Sequence, residues 1–84
     1  MRDWERTRRL VGGRIRAIRH DAQLSQEALA LESGLSRNLL VQLEHGQRGV
    51  LYERLVDLAR ALDCTVADFF DWSSNPKHAA EDDA

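Results

Sequence analysis

Eighty-four residues suffice for one domain with a modest core, and leave no room for a substrate cavity with its walls. The single cysteine, Cys64, excludes an intrachain disulfide and fits a reducing cytoplasm, while no secretory, transit or membrane-spanning stretch is present. The net charge of −2 hides a segregation: residues 1–48 hold nine arginines against six acidic residues, and residues 49–84 hold three basic against eight acidic.

Seven of the first nineteen residues are arginine. Residues 1–9 read equally as a basic arm or as extra helix with Trp4 covering the core. Val11, Ile15 and Ile18 recur at i, i+4 and i+7, so a first helix buries that stripe and ends near Asp21–Gln23. Gly12-Gly13 lowers helix propensity near its start.

The next segment, Leu24 to Gly46, is the densest signal in the chain. Ser25 is an N-cap candidate, since its hydroxyl can accept from a free backbone N–H of the first turn. Gly34 ends that helix, because the chain must turn there and glycine enters the left-handed region cheaply. Ser36 caps another helix, which Gly46 stops. Helices joined so tightly cross steeply, and Ala30 is small enough to permit close approach. This is a helix-turn-helix, whose second helix suits a DNA major groove.

At about 100° per residue, Leu39, Leu40, Leu43 and Glu44 share one arc of that second helix. Arg37, Asn38, Val41 and Gln42 share the opposite one. Arginine can bind the O6/N7 edge of guanine and Asn or Gln the N6/N7 edge of adenine, while an aliphatic group meets the thymine methyl. A purely solvated face is the plainer reading, but the capped helix and glycine turn before it favour the groove. The positive half of the chain is also the half that holds this motif, as phosphate binding requires.

Leu55, Leu58, Ala59 and Leu62 give a fourth helix its inward face. Thr65 can cap a last short helix carrying Val66, Phe69 and Phe70. Residues 73–84, polar and ending Glu81-Asp82-Asp83-Ala84, are expected to be a disordered acidic tail, leaving 10–72 as the domain proper. Cys64 reads as a small buried residue rather than a reactive thiol. His20, His45 and His78 have no ligand spacing with Cys64 or the carboxylates, so no metal is indicated. Nothing orders a nucleophile beside a base, and Gly12-Gly13 lacks the rest of a phosphate loop. Neither enzyme nor cofactor is expected.

Leu24 to Gly46, with Arg19 upstream and Leu55-Val56-Asp57-Leu58-Ala59-Arg60-Ala61-Leu62 downstream, resembles the Cro/phage-repressor (XRE) type of helix-turn-helix domain. The resemblance covers roughly Val11 to Phe70, with matches at Gln26, Leu29-Ala30, Gly34, Ser36, Leu40, Leu43-Glu44 and Gly46. It implies an all-α, five-helix lambda-repressor-like bundle that binds operator DNA, usually as a dimer. It also implies that Gln26 touches a phosphate, that Arg37, Asn38 and Gln42 read base edges, and that Arg19 and Glu44 form a partly buried ion pair. Three positions depart from the pattern. Gln23 replaces a frequent glycine, which predicts a less sharp first turn. Leu51 replaces a capping serine, which predicts a weaker start to the fourth helix. Val41 stands where small or polar residues are commoner.

The resulting expectation is a soluble, cytoplasmic, sequence-specific transcriptional regulator, such as a repressor, whose partner is double-stranded DNA. Gln26 at a helix N-terminus, Ser36, and Gln47 and Arg48 in the following loop are the phosphate-binding candidates. One short reading helix binds weakly alone, so a homodimer is expected, with half-sites about 34 Å apart. Its contact is assigned to Leu51, Tyr52 and Phe69, with Trp72 as anchor. The alternative is a protein-interaction module of the same shape, an antitoxin or bridging factor, with a toxin or RNA polymerase as partner. Phage repressor, restriction-modification controller and antitoxin roles are not separated by the sequence.

Overall fold

Capping side chains and left-handed turn residues divide the chain into short helices. The computed structural model describes residues 2–71. Its order is α1 (Asp3–Asp21), α2 (Gln26–Ser33), α3 (Arg37–Glu44), α4 (Tyr52–Ala61) and a 3-10 helix, Val66–Phe70. No strand occurs among the described residues, so the class is all-α. Trp72 and the tail 73–84 lie outside them.

Four α-helices stand where five were expected. The fifth segment is a 3-10 helix, because five residues make little more than one turn and short pieces favour i→i+3 bonding. Thr65 and Asp68 cap it reciprocally: Thr65 N–H donates to Asp68 Oδ2 at 2.9 Å, and Asp68 N–H to Thr65 Oγ1 at 3.3 Å. Hydrogen bonds from the Thr65 backbone N–H and side chain to the Asp68 carboxyl hold it below its ordinary pKa. Burial pushes the half-buried Cys64 thiol up, and nearby Asp68 adds to the effect, which favours the protonated form. Residues 3–9 are the first turns of α1.

The turn from α1 to α2 is tight despite Gln23. That residue lies at φ 60, and the Gln23 and Leu24 N–H groups donate to His20 O at 2.9 Å and Arg19 O at 3.1 Å. Placing a non-glycine residue there costs about 1–2 kcal/mol, and the turn keeps its shape at that cost. Leu51 precedes α4 without any side-chain cap, as its apolar chemistry requires.

The core joins Val11 and Ile15 of α1, Leu29 and Ala30 of α2, Leu40 and Leu43 of α3, Leu55, Leu58 and Ala59 of α4, and Phe69. Arg14 reaches from α1 to the 3-10 helix, its Nε donating to Asp68 O at 2.9 Å. α1 and the end of α3 approach closely. A Cβ on Gly12 would collide with the carbonyl oxygen of Leu43 and lie 3.0 Å from that of Glu44. Next door, a Cβ on Gly13 would meet nothing within 4 Å.

These adjacent glycines should respond oppositely to alanine. Gly12→Ala is expected to cost about 1–3 kcal/mol through overpacking. Gly13→Ala is expected to gain about 1 kcal/mol, because only helix propensity changes. Urea unfolding of both variants measures the two signs.

Candidate nucleic-acid interface

The surface in question is built from α2, α3 and the loop after them. Ser25 Oγ accepts from Ala28 N–H at 3.0 Å, which opens α2. Gly34, at φ 79, closes that helix, and its N–H donates to Ala30 O. Ser36 Oγ accepts from Leu39 N–H at 3.1 Å and opens α3 two residues later. A phosphate oxygen only accepts, so the expected phosphate role of Ser36 would use the hydroxyl proton, which the cap does not employ.

The two faces of α3 separate cleanly. Leu40, Leu43 and Glu44 are buried, and Leu39 packs partly against the core. Arg37 and Asn38 are exposed in the first turn, while Val41 and Gln42 are half-buried one turn later. Two of these outward side chains have partners outside α3. Arg37 Nε lies 3.9 Å from Glu27 Oε1 of α2. Gln42 Oε1 accepts from Arg48 Nη1 at 3.3 Å, so a base-edge candidate and a phosphate candidate touch each other. Gln47 is exposed, and its N–H donates to Gln42 O at 2.9 Å.

Behind this face lies a buried polar cluster. Arg19 Nε donates to Glu44 Oε2 at 2.7 Å and Nη2 to Oε1 at 3.0 Å. The two side chains are 8% and 1% exposed, so the pair is well removed from water. Arg19 Nη1 also donates to Leu24 O at 2.9 Å, just ahead of the Ser25 cap. Gln26 Nε2 donates to Glu44 Oε1 at 3.1 Å. Beside the cluster opens a hollow lined by Arg19, His20, Ser25, Gln26, Glu27 and Arg37. Among the described residues, every buried side-chain nitrogen and oxygen has a hydrogen-bond partner.

The dimer residues divide. Leu51 and Tyr52 are 69% and 73% exposed, and Val56 and Phe70 are also exposed. Phe69 is fully buried in the core and cannot offer a surface. Its assignment to the interface is therefore wrong: the Thr65 cap sets a register in which Phe69 turns inward and Phe70 outward. Trp72 lies outside the described residues.

Several contacts carried no signal in periodicity. The Gln26–Glu44 bond, the Arg48–Gln42 bond and the stacking of Arg8 on Trp4, 4.4 Å from guanidinium to ring centroid, all depend on how helices and loop meet. Gly12 did leave a trace, since it shares the i, i+3, i+7 face of Ile15 and Arg19. Among the described residues no group of His, Cys, Asp and Glu is placed to hold a metal. No helix among them is long and apolar enough to cross a membrane.

A capped α2, a glycine turn and a capped α3 with a polar outer face define a helix-turn-helix protein. Residues 15–69 match the helix-turn-helix family HTH_3, and the chain belongs to that family. Its relatives are transcriptional regulators. The chain is 38% identical over 55 residues to the uncharacterized HTH-type transcriptional regulator y4dJ of Sinorhizobium fredii, covering 66% of this chain and 71% of that one. Among solved structures it is similar to the restriction-modification controller protein C.AhdI of Aeromonas hydrophila. That match has a TM-score of 0.79 at 38% identity and covers 82% of this chain and 100% of the other. It is also similar to the clp gene regulator ClgR of Corynebacterium glutamicum, with a TM-score of 0.78 at 32% identity, covering 92% and 84%.

Removing either member of the buried pair strands the other. Glu44→Ala and Arg19→Ala should each lose about 3 kcal/mol of stability or more. Thermal and urea melts read this loss, whereas a surface pair would leave both variants near the wild type.

Proposed function

We propose that this protein is a sequence-specific DNA-binding transcriptional regulator that acts in the cytoplasm on operator DNA. The observation that carries the reading is the division of α3, whose Leu40, Leu43 and Glu44 lock it to the scaffold while Arg37, Asn38, Val41 and Gln42 face out. An outer face with one apolar residue among three hydrogen-bonding ones suits base edges better than a protein groove. In the major groove Arg37 reads a guanine, Asn38 or Gln42 an adenine, and Val41 touches a thymine methyl. Arg37 gives up Glu27 to do so, and that exchange is easy because both side chains are largely exposed.

Gln26 donates to a phosphate at the N-terminus of α2, where free N–H groups and the helix dipole favour an anion. Ser36, Gln47 and Arg48 hold the flanking backbone. The protein binds as a homodimer, because one eight-residue reading helix spans only a few base pairs. Exposed Leu51 and Tyr52, with Val56 one turn further along α4, supply the apolar contact.

Arg37→Ala should leave the fold intact and relax preference at one base pair per half-site, by about 1–3 kcal/mol. Binding of a selected and a scrambled duplex at physiological salt, by wild type and variant, measures it. Equal wild-type affinity for both duplexes would falsify the reading and favour a protein-interaction module. Tyr52→Ala should shift the assembly toward monomer in sedimentation. A wild type that stays monomeric at high concentration removes the homodimer.

A further inference from the structure

We infer that Glu44 is a positioning residue for the DNA contact of Gln26, one buried carboxylate fixing which way that amide faces. The inference rests on the reading of the α2 N-terminus as a phosphate contact. Glu44 Oε1 accepts from two donors, Arg19 Nη2 at 3.0 Å and Gln26 Nε2 at 3.1 Å, and Oε2 accepts from Arg19 Nε at 2.7 Å. An ionised carboxylate only accepts. The amide nitrogen of Gln26 therefore faces Glu44, and a flip would set its carbonyl oxygen against a buried negative charge.

Of the two N–H groups on that nitrogen, one is used by Glu44. The second remains for an anion at the mouth of the hollow, beside the free N–H groups of the first turn of α2. The side chain is ordered before DNA arrives, so less freedom is lost on binding. Arg19 neutralises Glu44, and its third donor holds Leu24 O next to the Ser25 cap. The carboxylate that ends the reading helix thus also sets the phosphate anchor on a different helix, so the two contacts keep a fixed relation.

The test neutralises single phosphates of a selected duplex by methylphosphonate substitution. In the wild type, one position per half-site should lose about tenfold in affinity, as for a hydrogen bond to a charged group. That loss should vanish in Gln26→Ala, which identifies the phosphate. Glu44→Gln removes the acceptor charge at nearly constant shape, and it should abolish the loss at this phosphate while leaving the losses at other phosphates unchanged. A purely stabilising role for Glu44 would not move one phosphate alone. Retention of the wild-type loss in Glu44→Gln overturns the inference while leaving the functional reading intact. If no phosphate depends on Gln26, the contact itself is absent and both fall at that position. A second measurement needs no variant: in the free wild type, side-chain 15N relaxation should show the Gln26 amide rigid and the exposed Gln47 amide mobile. Equal mobility of the two overturns the inference, whether or not Glu44→Gln folds.

Discussion

The orientation of α3 depends on a guanidinium and a carboxylate buried between helices. Arg19 and Glu44 meet in a bidentate pair with nearly all of both side chains removed from water. Desolvating two charges is expensive, and apolar residues of similar volume would often be as stable or more so. What an apolar pair lacks is direction. The fork of Arg19 fits Glu44 in one orientation only, and its remaining nitrogen is taken by the Leu24 carbonyl. The last turn of α3, the C-terminal turn of α1 and the entry to α2 are thereby tied at one point.

Gly12 makes that meeting possible. Seven residues before Arg19 on the same face of α1, it lets the helix backbone lie directly on the terminal carbonyls of α3. Gly46 repeats the arrangement one turn earlier along α1, where a Cβ would lie 2.7 Å from Arg9 Cγ, at φ 70. The end of α3 is therefore clasped by α1 through missing side chains, while its start stays open to solvent.

The outer face is organised by weaker forces. Glu27 against Arg37 and Arg48 against Gln42 are exposed contacts, worth little in water and quickly exchanged for stronger partners. Apolar surface gathers beside the loop after α3. Trp4, Val11, Ile15, Val50, Leu55 and Phe70 line a depression beside the start of α4, with Arg8 stacked on Trp4 at its rim. Arg48 both borders this depression and donates to Gln42, so the apolar surface adjoins the polar outer face.

Much of this was legible in the sequence, for a physical reason. Ser25, Gly34, Ser36 and Gly46 act on backbone groups within a few residues of themselves, so helix boundaries follow from local chemistry. Periodicity likewise assigned Leu40, Leu43 and Glu44 inward and Arg37 and Asn38 outward, because an eight-residue helix has a constant angle per residue. Where local preference was poor, packing prevailed: Gln23 takes the left-handed conformation a glycine would favour. Other features depend on the distance and crossing angle between helices, which no periodicity encodes. Gly12 looked like a weak point of α1 and is where its backbone meets the end of α3. Phe69 and Phe70 are chemically alike, and only the register of a 3-10 turn sends one into the core and the other to the surface. Gln26 and Glu44 are eighteen residues apart, and only the folded chain brings the amide to the carboxylate.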